Sequence, residues 1–276
     1  MEVILAETLG FCGGVKKAVN LMYKTVKNSN NTLIYMEGPI IHNRIVIEEL
    51  EEKGVQLLNK DHDIKGAKVV VRAHGVSPEV HEDIINRGAE VVDGTCPIVL
   101  ASQIQISKHA ADGYFVVIAG DKGHAEVIGL VGHAKDRVLV VGSVEDLKGY
   151  TFPLKTLLIS QTTFSKPEFY KIEEALKRVC PSLKSLCTIC GATKERQDAV
   201  ITLAKKVDAL IVVGGLTSSN TKRLKLAAQQ YTDTWLIESA ADIPKEIVNY
   251  SVVGVSAGAS TPDSVISEVV EKLKSL

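Results

Sequence analysis

The stretch TLIYMEGPIIHN, residues 32–43, runs directly into RIVIEELEEKG, residues 44–54. The first segment is a short apolar run closed by a Gly-Pro corner and a polar pair. The second has the alternation of an amphipathic helix and ends in glycine. The same unit recurs along the chain. KVVVRAHGVSPEV (68–80) precedes HEDIINRG (81–88), and further copies begin at EVVDGTCPIV (90–99), YFVVIAGDKGHAEVIG (114–129), TLLISQTTFSKPEFY (156–170), LIVVGGLTSSNTKRL (210–224) and VVGVSAGASTPDSV (252–265). Strands alternating with helices at this pitch specify an α/β fold with parallel sheets covered by helices. In such sheets ligands sit at the carboxyl ends of the strands, where these corners fall.

The chain has 276 residues, of which 45% are hydrophobic, enough for a large core or for two to three modules. Its 32 basic and 33 acidic side chains leave a formal charge of −1. Nothing in that balance suggests a nucleic-acid or anionic-membrane binder, whose affinity comes from clustered Lys and Arg. Apolar runs such as ALIVV at 209–213 are strand-length and too short for a bilayer. MEVILAETLG lacks the basic-then-apolar layout of a secretion signal. The expectation is a cytoplasmic, soluble, globular protein. Five cysteines, an odd number, argue against a disulfide framework in that compartment. The thiols are core residues or chemistry.

The corners sort by type. Cys12 in GFCGGV, Cys96 in DGTCP and Cys190 in TICGAT each end a strand-like run and open a helix. Two polar corners follow each cysteine. His42-Asn43 and His74 follow Cys12. His124 with Glu126, then Gln161-Thr162-Thr163, follow Cys96. Ser218-Ser219-Asn220 and Ser260 follow Cys190. This is a threefold repeat of arrangement rather than of letters.

Three such thiols meeting at helix N-termini would be drawn toward the thiolate form, the one that ligates metal. They could hold zinc with an open fourth position, or a [4Fe–4S] cluster with one iron lacking a protein ligand. Three unrelated buried cysteines are the plain alternative. Cys187, three residues before Cys190, reads as strand packing, and Cys180, before Pro181, as structural. His62, His81 and His109 read as solvated, and EELEEKG at 48–54 as an exposed helix face.

The neutral corners at Ser218, Ser219, Asn220 and Ser260 resemble a cradle for one compact polyanion at helix N-termini, although taken singly they are ordinary caps. His42, His74 and His124 stand at comparable corners. No Walker lysine motif occurs, which disfavours nucleotide hydrolysis. Glu126 is the one carboxylate among these corners and the candidate proton donor, with His124 and Thr162 beside it to pass or orient a proton.

GFCGGV, HN at 42–43, RAHGV, DGTCP, GHAEVIG, SQTT, TICGAT, SSNT and AGAS stand in the order expected of the 4-hydroxy-3-methylbut-2-enyl diphosphate reductase family, which the chain resembles from Cys12 to Ser260. The resemblance implies three similar α/β modules arranged as a pseudo-threefold cloverleaf around a central iron–sulfur site. The modules would span 14–96, 97–189 and 190–276, the last joined by 1–13. It implies one [4Fe–4S] cluster per chain on Cys12, Cys96 and Cys190. His42, His74, His124, Thr162, Ser218, Ser219, Asn220 and Ser260 would contact the diphosphate substrate, with Glu126, His124 and Thr162 catalytic. Reduced ferredoxin or flavodoxin would donate the electrons that remove the allylic hydroxyl, giving isopentenyl and dimethylallyl diphosphates. Ala125 departs from the proline usual in that motif. An open-iron hydro-lyase and a non-enzymatic diphosphate or iron–sulfur sensor are the competing readings.

Overall fold

A computed structural model describes residues 1–30 and 32–276. Strand β1 (Glu2–Leu5) comes first, followed by β2 (Ile34–Glu37), β3 (Gln56–Leu57), β4 (Lys68–Val71) and β5 (Glu90–Asp93). Next are β6 (Phe115–Ala119), β7 (Val138–Val141), β8 (Thr156–Ser160) and β9 (Lys184–Leu186), then β10 (Ala209–Val213), β11 (Asp233–Ile237) and β12 (Val252–Ala257). The helices are α1 (Gly13–Lys27), α2 (Arg44–Glu52), α3 (Pro78–Asn86), α4 (Pro97–Ala111), α5 (Ala125–Ala134), α6 (Lys166–Val179), α7 (Gly191–Ala204), α8 (Ser219–Ala228) and α9 (Asp263–Lys274).

The strands form three four-stranded sheets, ordered β3-β2-β4-β5, β7-β6-β8-β9 and β11-β10-β12-β1, and every pairing is parallel. Each sheet places its second strand outside its first, then its third and a fourth. In the last sheet the fourth place is taken by β1. The fourth strand is in every case the one whose chain runs on to Cys12, Cys96 or Cys190. The chain divides into two compact units, one of Met1–Lys16, Ile41–Leu50 and Gly191–Leu276, the other of Lys17–Ile40 and Glu51–Cys190.

In the first unit, β10 is buried on both faces, as a parallel strand between helix layers must be. Leu210 and Val212 pack with Val200 and Leu203 of α7 and Leu224 of α8. Ile211 and Val213 pack with Val265, Ile266 and Val269 of α9. The second unit repeats this around β6. Val116 and Ile118 meet Ile106 of α4 and Leu130 of α5, while Val117 and Ala119 meet Phe169, Ile172 and Leu176 of α6.

Within the second unit, α5 lies against the corner after β4. A Cβ on Gly132 would stand 2.2 Å from the Ser77 Cβ, and Gln103 of α4 donates from Nε2 to the Val76 carbonyl at 3.4 Å. Two expectations need correction. His109 is buried, with Nδ1 2.7 Å from the Gln105 carbonyl oxygen and its ring edge-on to Tyr114, because its helix turns that side chain inward despite polar neighbours in sequence. Cys187 is exposed, one residue past the end of β9, so it packs no strand. Cys180 is buried at the end of α6, its thiol donating to the Pro153 carbonyl at 3.3 Å.

The Gly132–Ser77 approach has a direct consequence. Gly132→Ala overpacks that junction and lowers stability by about 1–3 kcal/mol, read from the urea midpoint.

Candidate functional site

Each corner cysteine is fixed by its own backbone. Cys12 N–H donates to the Ala259 carbonyl at 3.1 Å, Cys96 N–H to Ala73 at 3.0 Å, and Cys190 N–H to Thr162 at 2.9 Å. In all three sheets the acceptor lies at the corner after the third strand, β12, β4 or β8, beside or within a polar motif. Each cysteine immediately precedes a helix, α1, α4 or α7, and all three thiols are half-buried and free of disulfides. Cys12 Sγ accepts the Val15 N–H at 3.5 Å, so the start of α1 already directs positive charge at that sulfur.

In the first unit, Ser218, Ser219, Asn220 and Ser260 are buried, and His42 is half-buried. Ser218 caps α8 by accepting the Thr221 N–H at 3.3 Å, which leaves its own proton to donate. Ser260 Oγ donates to the His42 carbonyl at 3.2 Å. Gly215 is required where it stands, since a Cβ there would meet the His42 carbonyl oxygen at 2.3 Å. Both amide atoms of Asn220 are buried without a hydrogen-bond partner among the described residues. Burying an unpaired polar group costs about 1–3 kcal/mol, so this amide is set up for a ligand that can both donate and accept, or for bridging water. Asn43, by contrast, is used locally, its Oδ1 accepting the Val46 N–H to cap α2.

In the second unit, the rings of His74 and His124 meet edge to face with centroids 5.4 Å apart. His124 caps α5 by accepting the Glu126 N–H on Nδ1 at 3.2 Å, which leaves the proton of the neutral ring on Nε2. Glu126 is 2% exposed. Its Oε1 accepts the Thr162 N–H at 2.7 Å and its Oε2 accepts the Thr162 hydroxyl at 2.7 Å. Burial pushes the Glu126 carboxyl up to about 7, aided by nearby Asp121 and opposed by the two Thr162 bonds. Ala125 occupies the first helical position of α5, where proline fits because no intrahelical N–H bond is lost there.

Several supporting groups carry no sequence motif of their own. Thr188 N–H donates to Ser160 Oγ at 2.9 Å, and the Thr188 hydroxyl bonds back to the Ser160 carbonyl, which fixes the segment leading to Cys190. Gln161 Oε1 accepts the Asp121 N–H at 2.9 Å and steadies the loop before His124. Arg196, in α7, reaches the carbonyl of Gly10. The polar composition of these stretches was visible, but their partners are set by the fold.

Fold and corners together define an α/β protein of three like parallel sheets, each bearing a thiol at a helix N-terminus. The chain belongs to the LytB protein family, whose model matches residues 3–274. A relative from Caldanaerobacter subterraneus subsp. tengcongensis, named 4-hydroxy-3-methylbut-2-enyl diphosphate reductase, is 41% identical over all of this chain and 98% of its own length. One of the same name from Treponema denticola is 42% identical over 99% of both chains. Among solved structures, the E-1-hydroxy-2-methyl-but-2-enyl-4-diphosphate reductase of Plasmodium falciparum superposes with a TM-score of 0.92, at 30% identity, over 98% of this chain and 87% of its own. A second, titled as the terminal enzyme of the non-mevalonate pathway, matches at 36% identity over the whole of both chains with a TM-score of 0.73.

The raised Glu126 carboxyl has a thermodynamic signature. The folded chain keeps a proton that the unfolded chain loses between about 4.5 and about 7. Stability therefore falls as pH rises through that window, because the native state binds more protons there. Glu126→Gln removes this part of the slope in urea melts run across pH.

Proposed function

We propose that the chain is an iron–sulfur oxidoreductase that removes the allylic hydroxyl of 4-hydroxy-3-methylbut-2-enyl diphosphate with two electrons and two protons. The products are isopentenyl and dimethylallyl diphosphates and one water. The geometric observation that carries the reading is Glu126, buried and bonded twice to Thr162, with a carboxyl poised at about 7. Full-length relatives named as reductases favour this over a hydro-lyase or a sensor.

The donor set fits an iron–sulfur cluster. Cys12, Cys96 and Cys190 form no disulfide, are half-buried and stand at helix starts, and the amide already donated to Cys12 Sγ is the kind that stabilises a charged sulfur. These three would hold one [4Fe–4S] cluster per chain, with Cys96 closing the module 14–96 and Cys12 and Cys190 both belonging to 190–276 with 1–13. When bound, the cluster supplies an iron without a protein ligand, which polarises the C–O bond and relays electrons from reduced ferredoxin or flavodoxin.

The chain's own residues do the rest. Ser218, Ser219, Asn220 and Ser260 bind the diphosphate through neutral donors, with His42, His74 and His124; the unpaired Asn220 Nδ2 gains an acceptor from the diphosphate, and Oδ1 a donor from bridging water. Protonated Glu126 donates to Thr162 Oγ1, which turns the Thr162 proton toward the substrate hydroxyl. That proton converts the departing hydroxide to water while Glu126 restores it to Thr162. His124 holds the start of α5 so that Glu126 faces Thr162. Five cysteines without a disulfide suit a reducing, cytoplasmic setting, and no helix among the described residues is long and apolar enough to cross a membrane.

The test begins with protein purified without oxygen. Iron and acid-labile sulfide near four each per chain, with turnover only when a reductant is supplied, support the reading; zinc without sulfide, or turnover with no reductant, overturns it. Glu126→Gln keeps the cluster but loses about 10²–10⁴-fold in kcat, the usual range for a positioned proton donor. Asn220→Ala raises KM more than it lowers kcat and leaves iron content unchanged.

A further inference from the structure

Arg196 lies in the second turn of α7, the helix that Cys190 precedes, and its side chain is buried. Its Nε and Nη2 both donate to the Gly10 carbonyl, at 3.2 and 2.7 Å, and its Nη1 donates to the Ala192 carbonyl at 2.9 Å. It forms no ion pair among the described residues, and its charge rests on carbonyl oxygens alone. Buried arginines are almost always matched by an anion, because desolvating an isolated charge is very costly.

The carbonyl it grips begins GFCGG. Gly10 has φ +73°, and a Cβ there would stand 3.1 Å from Asp263 Oδ1 and Ile266 Cδ1, so the corner has one backbone path. Two residues on, Cys12 is tied to Ala259 through its N–H and to the start of α1 through its sulfur. Arg196 is thus one of three anchors on the corner, and the one that carries a charge.

We propose that Arg196 is a positioning residue for the Cys12 corner. It fixes where the Cys12 thiolate points, and it supplies a buried positive charge for the anionic metal–thiolate group to balance. This rests on the reading of Cys12 as a cluster ligand. Three thiolates on an inorganic core of charge 2+ leave a net negative group, which suits a cation that has no carboxylate of its own. The planar guanidinium grips one carbonyl with two N–H groups, a fork that lysine cannot reproduce.

Wild type, Arg196→Lys and Arg196→Gln are purified without oxygen, and folding is checked by far-UV circular dichroism and thermal melting. Three readouts follow: the rate of iron loss to a chelator, the electron paramagnetic resonance spectrum of the dithionite-reduced cluster, and the iodoacetamide alkylation rate of each cysteine in iron-free protein, resolved by peptide mass spectrometry. The expected result is a folded Arg196→Lys protein whose cluster affinity drops by about 10- to 100-fold, as for other groups that orient ligands. Its reduced spectrum shifts, and the alkylation rate changes at Cys12 but not at Cys96 or Cys190.

A folded Lys variant with wild-type spectrum, iron retention and Cys12 alkylation overturns the proposal. So does a change spread equally over the three cysteines, which marks a general loosening. If Arg196→Gln does not fold, Arg196→Lys alone decides. Wild type that binds no iron or sulfide refutes the ligand reading instead, and the alkylation pattern then decides whether Arg196 places the Cys12 corner.

Discussion

One backbone hydrogen bond, made three times, organises the site. In each sheet the amide of the corner cysteine donates to a carbonyl at the corner after the third strand, at 3.1, 3.0 and 2.9 Å. Because that bond uses only main-chain atoms, it sets each thiol beside a polar motif whatever the motif's side chains are. Ala259 leads to Ser260, Ala73 leads to His74, and Thr162 is itself the partner of Glu126. The repeat therefore survives as geometry where it has vanished as sequence. It also explains why the three polar corners differ so much in chemistry, since none of them has to hold its cysteine.

The charge placement follows the same economy. Ser218, Ser219, Asn220 and Ser260, proposed to receive an anion, are hydroxyls and an amide rather than lysines, so any attraction there would come from helix N-termini and oriented dipoles, which hold direction as well as charge. Glu126, on α5, is a different case, where burial and not a neighbouring cation sets its proton affinity. Glu37 shows the contrast within the same unit. Burial raises it too, but Arg72 lies 3.6 Å away and pulls it back. For Glu37 the two causes oppose each other and burial prevails, whereas no cation offsets the burial of Glu126.

The strand–corner–helix unit and the three cysteine corners were legible in the sequence because both are local. Apolar runs, glycine turns and capping residues act within a few positions of one another. What was not legible is long-range. Nothing in MEVIL says that it pairs with VVGVSA, and only a resemblance placed it there. Arg196 reads as one more charge on a helix until Gly10, 186 positions away, is seen to sit on it. His109 looked solvated because SKHAADG is polar, yet its ring points inward and satisfies itself on Gln105. Cys187 erred the other way, since a strand-like stretch ended one residue before it. For His109 and Arg196 the local signal was right about the helix and silent about which way the side chain faced, while for Cys187 it carried the strand one residue too far.

The pairing of β1 with β12 also orders the protein's assembly in time. Residues 2–5 have no partner until residues 252–257 leave the ribosome, since every hydrogen bond of that ladder spans almost the whole chain. At about 5–20 residues per second the wait is roughly ten to fifty seconds. During that time a strand rich in Val, Ile and Leu and the Cys12 corner behind it remain outside any finished sheet. The other two sheets can close while synthesis continues, so two of the three thiols are in place before the first one made. Of the three corner thiols, Cys12 is thus the first to be synthesised and the last to reach its place beside a finished sheet.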